Sequence, residues 1–131
     1  MIYLDTSTAL AQLLAEDRHP PDEVWGVTLV SSRLLEYELW VRVHTRKLAR
    51  THGDAARDLV GRVALLELLP PILSRALEPF PVPVRTLDAL HLASAAFLKE
   101  QGHPVALLSY DLRMREAASK MKIALSPLGG V

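Results

Sequence analysis

The first residues of the chain pass directly from a strand-like pattern to a helix-like one. Ile2–Leu4 is apolar without alternation, which is typical of a strand buried on both faces of a parallel sheet. The apolar residues Leu10, Leu13 and Leu14 then recur at helical spacing. Asp5 therefore stands where a buried strand ends and a helix begins. Open α/β sheets bind ligands at that edge, although an acidic residue in this position also caps helices.

Strand-like and helix-like segments alternate along the rest of the chain, and this order predicts a parallel sheet with helices on both faces. The later predicted strands cover residues 27–30, 66–69, 105–108 and 123–125, the last as an edge strand. The predicted helices cover residues 8–17, 34–50, 54–65, 70–78, 85–101 and 112–120. Residues 51–53 are expected to separate the second of these helices from the third. Right-handed crossovers then bring the carboxyl ends of the strands to one rim.

Composition limits the classes of protein to which the chain can belong. Its 131 residues, half of them hydrophobic, predict a single domain spanning residues 1–131. The lack of cysteine excludes disulfides, thiolate metal sites and cysteine nucleophiles. No apolar run is long enough for a membrane span and the start does not resemble a signal peptide, so we predict a cytoplasmic protein. The 15 basic residues balance 15 acidic residues, so nucleic-acid binding needs a local basic patch.

Three further acidic residues are expected at the same rim as Asp5. Asp111 also follows an apolar strand and precedes a helix, Asp88 lies in the first turn of its helix, and Glu38 lies within the first two turns of another. Each has an alternative explanation, respectively as a helix cap, as a favourable charge near a helix N-terminus and as a solvated side chain. Converging carboxylates repel one another, so their coincidence at one rim favours a bound cation.

A site that offers only oxygen ligands predicts a hard cation, either Mg²⁺ or Mn²⁺. Phosphate esters are the natural substrates for such a cation, because it can activate water for attack on phosphorus and stabilise the leaving oxygen. A receiver-type signalling domain also gathers acidic residues at a strand edge. It is less favoured here, because no lysine follows the last buried strand in the expected place.

Four segments of the chain resemble a known family, and they occur in that family's order. They are residues 1–7 (MIYLDTS), 31–39 (SSRLLEYEL), 85–93 (RTLDALHLA) and 109–111 (SYD). Together they resemble a PIN domain and, more narrowly, the VapC ribonuclease toxins of bacterial toxin–antitoxin pairs. The resemblance spans nearly the whole chain, and residues 85–93 are its most specific part.

The resemblance implies a metal-dependent endoribonuclease with a three-layer α/β/α sandwich around a mostly parallel central sheet. The catalytic and metal-binding residues of the family map onto Asp5, Glu38, Asp88 and Asp111. The fourth of these positions varies within the family. Thr6 or Ser7 is expected to support metal-bound waters by hydrogen bonding. The resemblance also implies a homodimer and a small antitoxin whose tail enters the acidic groove. A catalytically silent PIN-like interaction module remains the alternative.

Two neighbouring residues could compete with these ligands or support them. Glu36 lies on nearly the opposite face of the helix from Glu38, and the family pattern favours Glu38 as the ligand. Glu36 is then expected to be a structural or surface residue paired with a nearby arginine. His91 lies one turn after Asp88 on the same helix face and could reach the site as a supporting residue. A histidine packed within the fold is the commoner case.

Basic residues adjoin two of the acidic segments. Arg42 and Arg46 continue the helix of Glu38, and Arg113 follows Asp111. Such residues usually form a solvated face, but their attachment to the acidic segments predicts phosphate contacts with RNA, whose affinity falls as salt rises. Aromatic residues are few, so extensive base stacking is not expected.

Overall fold

A computed structural model describes residues 1–127 of the chain, and these contain five β-strands and six α-helices. The strands are β1 (Ile2–Leu4), β2 (Leu29–Ser32), β3 (Val63–Leu66), β4 (Ala106–Leu108) and β5 (Ala124–Leu125). The helices are α1 (Thr6–Leu13), α2 (Leu34–Thr45), α3 (Ala49–Gly61), α4 (Pro70–Ala76), α5 (Thr86–Glu100) and α6 (Leu112–Lys120). A 3-10 helix, Asp22–Gly26, lies between α1 and β2. The strand pairings are parallel, in the order β3-β2-β1-β4-β5.

Helices cover both faces of this sheet, which confirms the predicted three-layer α/β/α sandwich. Successive residues of β1 point into opposite layers. Tyr3 packs with apolar residues of α5 and α6, whereas Leu4 packs with those of α1, α2 and α3. Both side chains are fully buried. The strand therefore has no solvent-facing side, and this explains why its sequence shows no alternation.

The strand order reverses next to β1. From β1 the chain moves outward through β2 to β3, and it then crosses back to place β4 and β5 on the other side of β1. Such a reversal opens a crevice at the carboxyl ends of the two central strands, because the connections that follow them leave in opposite directions. Asp5 directly follows β1, and Asp111 lies three residues after β4. The topology thus brings these two acidic residues to the same crevice.

The helical region after β2 differs from the prediction of one helix over residues 34–50. α2 ends at Thr45 and α3 begins at Ala49. Lys47 between them adopts a left-handed backbone with φ of 57°, through which an α-helix cannot continue. α3 then runs through Gly53, which is buried beside the Trp40 ring. Packing of α3 on α2 therefore outweighs the cost of about 1 kcal/mol that a glycine brings to a helix interior.

Two strands are displaced from their predicted positions. β2 begins and ends two residues later than predicted, and β3 begins and ends three residues earlier. Ser31 belongs to β2, where its hydroxyl donates to the Leu4 carbonyl oxygen at 2.7 Å. Val63 is the buried residue of β3 and pairs with Leu29. Pairing with neighbouring strands and burial thus set the bounds of β2 and β3. The predicted bounds of α6 are confirmed.

The helices of this fold are short. α5 has 15 residues. Within the part of the chain that the structure describes, no helix combines the length and the apolar character that crossing a membrane requires.

Candidate active site

An open cleft of about 600 Å³ lies at the carboxyl edge of the sheet. Its lining contains the four acidic residues that the sequence singles out, Asp5, Glu38, Asp88 and Asp111. The other residues of the lining are Thr6, Ser7, Leu10, Arg42, Arg85, Thr86 and Leu87. The fold thus gathers side chains from four separate segments of the chain into one acidic cleft.

The Asp5 carboxylate is held by two side-chain hydroxyl groups and not by backbone N–H groups of the helix that follows it. Its side chain is buried, and Oδ2 accepts hydrogen bonds from the Ser7 and Ser109 hydroxyls, each at 2.7 Å. Asp5 occupies the position before α1, yet within residues 1–127 its side chain makes no capping hydrogen bond to that helix. The interpretation of Asp5 as a helix cap is therefore wrong. Two neutral donors instead orient a buried carboxylate that lines the cleft.

Asp111 combines a capping role with its place in the cleft. Oδ1 accepts hydrogen bonds from the backbone N–H groups of Arg113 at 2.9 Å and Met114 at 3.1 Å, at the start of α6. The backbone N–H of Asp111 donates to Ser109 Oγ at 3.0 Å. Ser109 thereby links two acidic residues, because its oxygen accepts from Asp111 while its hydrogen goes to Asp5. The capping interpretation is confirmed for Asp111.

The pKa of Asp88 is raised where the acidic residues meet in the cleft. It is half-buried in the first turn of α5. Burial raises the pKa of its carboxyl group above the ordinary value, and the negative charges of Asp111 and Asp5 raise that pKa further. Arg85 and His91 oppose the shift. Asp88 therefore lies close enough to Asp111 and Asp5 for their negative charges to disfavour its ionised form.

Glu38 reaches the cleft from α2 and contacts a buried histidine. His91 is 1% exposed, and its Nε2 lies 2.6 Å from Glu38 Oε1 and 3.4 Å from Thr6 Oγ1. The other ring nitrogen, Nδ1, lies 2.7 Å from the Tyr3 hydroxyl. Burial raises the pKa of Tyr3, so this hydroxyl stays protonated. His91 is thus both packed within the fold and in direct contact with a residue of the cleft.

Glu36 lies outside the lining of the cleft. Its carboxylate oxygen is 3.3 Å from Arg33 Nη1, and Arg33 also pairs with Glu67. The prediction that Glu36 pairs with a nearby arginine is confirmed. Glu38 is the glutamate of this helix that lines the cleft.

The basic residues of the cleft differ from the predicted set. Arg42 lines the cleft, one turn after Glu38, whereas Arg46 and Arg113 are exposed and lie outside its lining. Arg85, which was not among the residues predicted from the sequence, lines the cleft at the N-terminus of α5. Its place as the first residue of the most specific family segment, residues 85–93, was the available signal. Ser109 is also missed, although it stands within another of the segments that resemble the family.

The chemistry of the cleft fits a hard cation, because its candidate ligands are carboxylate oxygens with hydroxyl groups beside them. Among the residues described, no three acidic or histidine side chains approach closely enough to form a ready coordination shell. Mg²⁺ usually keeps several waters and takes one or two carboxylates together with substrate phosphates. The residues present therefore fit a hydrated ion better than a closed protein cage.

Comparison with known proteins establishes the family. The PIN domain family model matches residues 2–120, so the chain belongs to the PIN domain family. Ribonuclease VapC47 of Mycobacterium tuberculosis (strain CDC 1551 / Oshkosh) is 30% identical over 138 residues, which cover 100% of this chain and 99% of that protein. Ribonuclease VapC35 of the same strain is 30% identical over 131 residues, which cover 95% of each. The resemblance to PIN domains and VapC proteins is confirmed, and the receiver-type alternative is wrong.

Proposed function

We propose that the chain is a metal-dependent endoribonuclease that cleaves RNA phosphodiester bonds, and that it is the toxin of a VapBC-type toxin–antitoxin pair. The observation that carries the proposal is the meeting of Asp5, Glu38, Asp88 and Asp111 in one cleft where the strand order reverses. The names of two full-length relatives, both ribonucleases, support the same substrate class. The proposed cofactor is Mg²⁺ or Mn²⁺, because the ligands are oxygen atoms.

The four carboxylates are proposed to hold a hydrated cation, one or two of them directly and the others through its waters. When bound, the cation supplies an activated water and neutralises negative charge on the phosphate. Ser7 and Ser109 keep the Asp5 carboxylate in one orientation through their bonds to Oδ2. The hydroxyl hydrogen of Ser7 is used in that bond. Thr6 is therefore the residue proposed to support a metal-bound water, and Ser7 supports the site through Asp5.

Arg42 and Arg85 are proposed to contact phosphates of the RNA backbone. Both line the acidic cleft, where their positive charges offset the repulsion between carboxylates and RNA. Arg46 and Arg113 are exposed and lie outside the lining of the cleft, and they are proposed to make weaker, more distant contacts. The affinity for RNA is then expected to fall as salt rises.

Purified protein, freed of any antitoxin, is expected to cleave RNA when Mg²⁺ or Mn²⁺ is present. Cleavage is expected to stop when a chelator is added. The reason is that the carboxylates by themselves repel a phosphate and need the cation to bind it. Gel electrophoresis of a panel of transfer and ribosomal RNAs measures the cleavage. If every RNA stays intact with either metal, the ribonuclease proposal fails and the catalytically silent interaction module takes its place.

The proposal includes a small antitoxin whose tail occupies the acidic cleft and blocks access to RNA. The open cleft and its excess of carboxylates suit a segment that carries basic side chains.

The proposed location is the cytoplasm, where transfer and ribosomal RNAs are found. We also propose that residues 1–131 form a single PIN domain, of which residues 128–131 lie outside those that the structure describes. The family match over residues 2–120 and one continuous sheet support this.

A homodimer is also proposed, because large apolar side chains are exposed along one groove between α4 and α5. Leu77 is 89% exposed and Leu73 is 43% exposed. Phe80 and Val84 line the same groove. Pairing this groove with a second copy of the chain removes its apolar surface from water.

Leu77→Glu is expected to convert the dimer into a monomer. Full burial of a leucine contributes about 1.5–3 kcal/mol, and a two-fold interface counts it twice, so the dimer dissociation constant should rise at least about a hundredfold. Light scattering at micromolar concentration measures the change. Leu112→Glu is the matched control, because Leu112 is 75% exposed on α6. A monomeric parent protein, or a Leu77→Glu variant that remains dimeric, contradicts the proposal.

A further inference from the structure

A buried series of hydrogen bonds runs from the sheet to Glu38 at the cleft. The Ser32 backbone N–H donates to the Tyr3 hydroxyl oxygen at 3.1 Å, and this hydroxyl lies 2.7 Å from His91 Nδ1. His91 Nε2 lies 2.6 Å from Glu38 Oε1. Tyr3 and His91 are buried, whereas the Glu38 side chain is 22% exposed. Glu38 is therefore the member of the series that reaches solvent in the cleft.

For a neutral imidazole beside an ionised carboxylate, the hydrogen bonds of this series have one consistent direction. An ionised carboxylate can only accept, so Glu38 requires a hydrogen on His91 Nε2. In a neutral imidazole the other nitrogen, Nδ1, then accepts, and the Tyr3 O–H group donates to it. The Tyr3 oxygen accepts from the Ser32 N–H at the same time. Tyr3 thereby selects the ring tautomer of His91 that can donate to Glu38.

The same series joins the two helical layers at the cleft. His91 is on α5, which packs on one face of the sheet, and Glu38 is on α2, which packs on the other. The rings of Tyr3 and His91 meet edge to face, with centroids 5.8 Å apart and an interplanar angle of 81°. Packing as well as hydrogen bonding therefore fixes the orientation of the imidazole.

We infer that His91, oriented by Tyr3, is a positioning residue for Glu38 in the proposed metal site. The inference rests on the proposed function, because that function gives Glu38 a cation to bind. His91 engages Oε1, and among residues 1–127 no hydrogen bond engages Oε2. Glu38 thus presents one fixed oxygen to the cleft. Without His91 the carboxylate can rotate, and part of the binding free energy of the cation goes into ordering it.

The test measures Mn²⁺ affinity by calorimetric titration, without RNA. His91→Phe keeps an aromatic ring but removes both hydrogen bonds, and it should weaken Mn²⁺ binding by about 10- to 100-fold, as is typical when a residue that orients a metal ligand is lost. His91→Gln keeps an N–H donor for Glu38 and should bind Mn²⁺ more tightly than His91→Phe. Tyr3→Phe removes the orienting hydroxyl alone and should weaken binding less than His91→Phe. It replaces His91→Phe if that variant does not fold.

A double variant separates positioning from general destabilisation. If His91 acts through Glu38, His91→Phe causes no further loss of Mn²⁺ affinity in a Glu38→Gln background. An equal loss in both backgrounds is the result of a purely structural role, and it overturns the inference. Leu98→Ala is the control, because Leu98 is buried on α5 but does not line the cleft. Its replacement should lower the melting temperature and leave the Mn²⁺ affinity unchanged.

NMR of the imidazole nitrogen atoms in the metal-free protein gives a second readout. The expected signature is a hydrogen on His91 Nε2 and none on Nδ1, with the two tautomers mixed in Tyr3→Phe. A hydrogen on Nδ1 alone in the parent overturns the inference. If the parent does not bind Mn²⁺, the proposed metal site fails and the inference fails with it. If Glu38→Gln weakens Mn²⁺ binding and His91→Phe does not, the inference alone fails.

Discussion

Replacement of Asp5 by asparagine is expected to lower the rate of RNA cleavage by about 10²- to 10³-fold. A catalytic cation contributes several kcal/mol to transition-state stabilisation, and each step of about 1.4 kcal/mol is a factor of ten in rate. The amide oxygen of the variant can still accept hydrogen bonds from Ser7 and Ser109, so the local fold should persist. The measurement is a single-turnover cleavage rate at saturating Mn²⁺.

Asp54→Asn is the matched control for this loss of charge. Asp54 is fully exposed on α3 and pairs with Arg57, so the same substitution there leaves the cleft intact. This variant should cleave RNA at the rate of the parent. An Asp5→Asn protein that is folded by circular dichroism and cleaves as fast as the parent would falsify the assignment of Asp5 as a ligand.

Mn²⁺ is expected to stabilise the parent protein by about 2.7 kcal/mol at a hundredfold excess over its dissociation constant, and Asp88→Asn should lose most of this gain. For a chain of this length the gain corresponds to a rise in melting temperature on the order of 10 °C. The reason is that Asp88 lies among the repelling carboxylates and is a proposed ligand. Thermal melts with and without Mn²⁺ measure the effect. Asp54→Asn should keep the full shift, and an unchanged shift in Asp88→Asn removes Asp88 from the set of ligands.

Without Mn²⁺, the Asp88→Asn variant should be more stable than the parent, which is the reverse of the order expected with Mn²⁺. Burial, Asp111 and Asp5 raise the pKa of Asp88 in the folded state above its ordinary value of 3.8. The folded state therefore favours the protonated form, and the stability that this group contributes is lost as the pH rises through the raised pKa. Asp88→Asn carries no charge and should be more stable than the parent at neutral pH. The difference should disappear as the pH falls toward 3.8. A parent that is more stable at neutral pH contradicts the repulsion.

The order of strands and helices could be predicted because local sequence patterns indicate it. The predicted boundaries were wrong where they depend on contacts between elements that are distant in sequence. The unalternating run of β1 reports burial on both faces, and the acidic cap of α6 marks where that helix begins. Gly53 usually signals the end of a helix, yet it lies inside α3. Its contact with Trp40 on the neighbouring helix α2 allows the helix to continue through Gly53. The sequence around residue 53 does not indicate that contact.

Asp5 and Asp111 show the same limit within the site. Each follows a buried strand and precedes a helix, so the two residues have the same local pattern. Only Asp111 caps its helix, whereas Asp5 Oδ2 accepts a hydrogen bond from Ser109. Ser109 follows β4, which is distant in sequence and adjacent to β1 in the sheet. The strand order therefore gives Asp5 a hydrogen-bond partner, in addition to Ser7 of its own helix, that the local sequence does not predict.

The sequence by itself determined the α/β class, the PIN family and the four acidic residues that line the cleft, because burial patterns and family segments can be read position by position. The tertiary structure alone decided which partners surround them. It brought in Arg85 and Ser109, left Arg46 and Arg113 outside the lining, and set His91 against Glu38. Each of these outcomes depends on distances between residues that belong to separate strands or helices. Strand order and the packing of helices on opposite faces set such distances, and local periodicity carries no information about them.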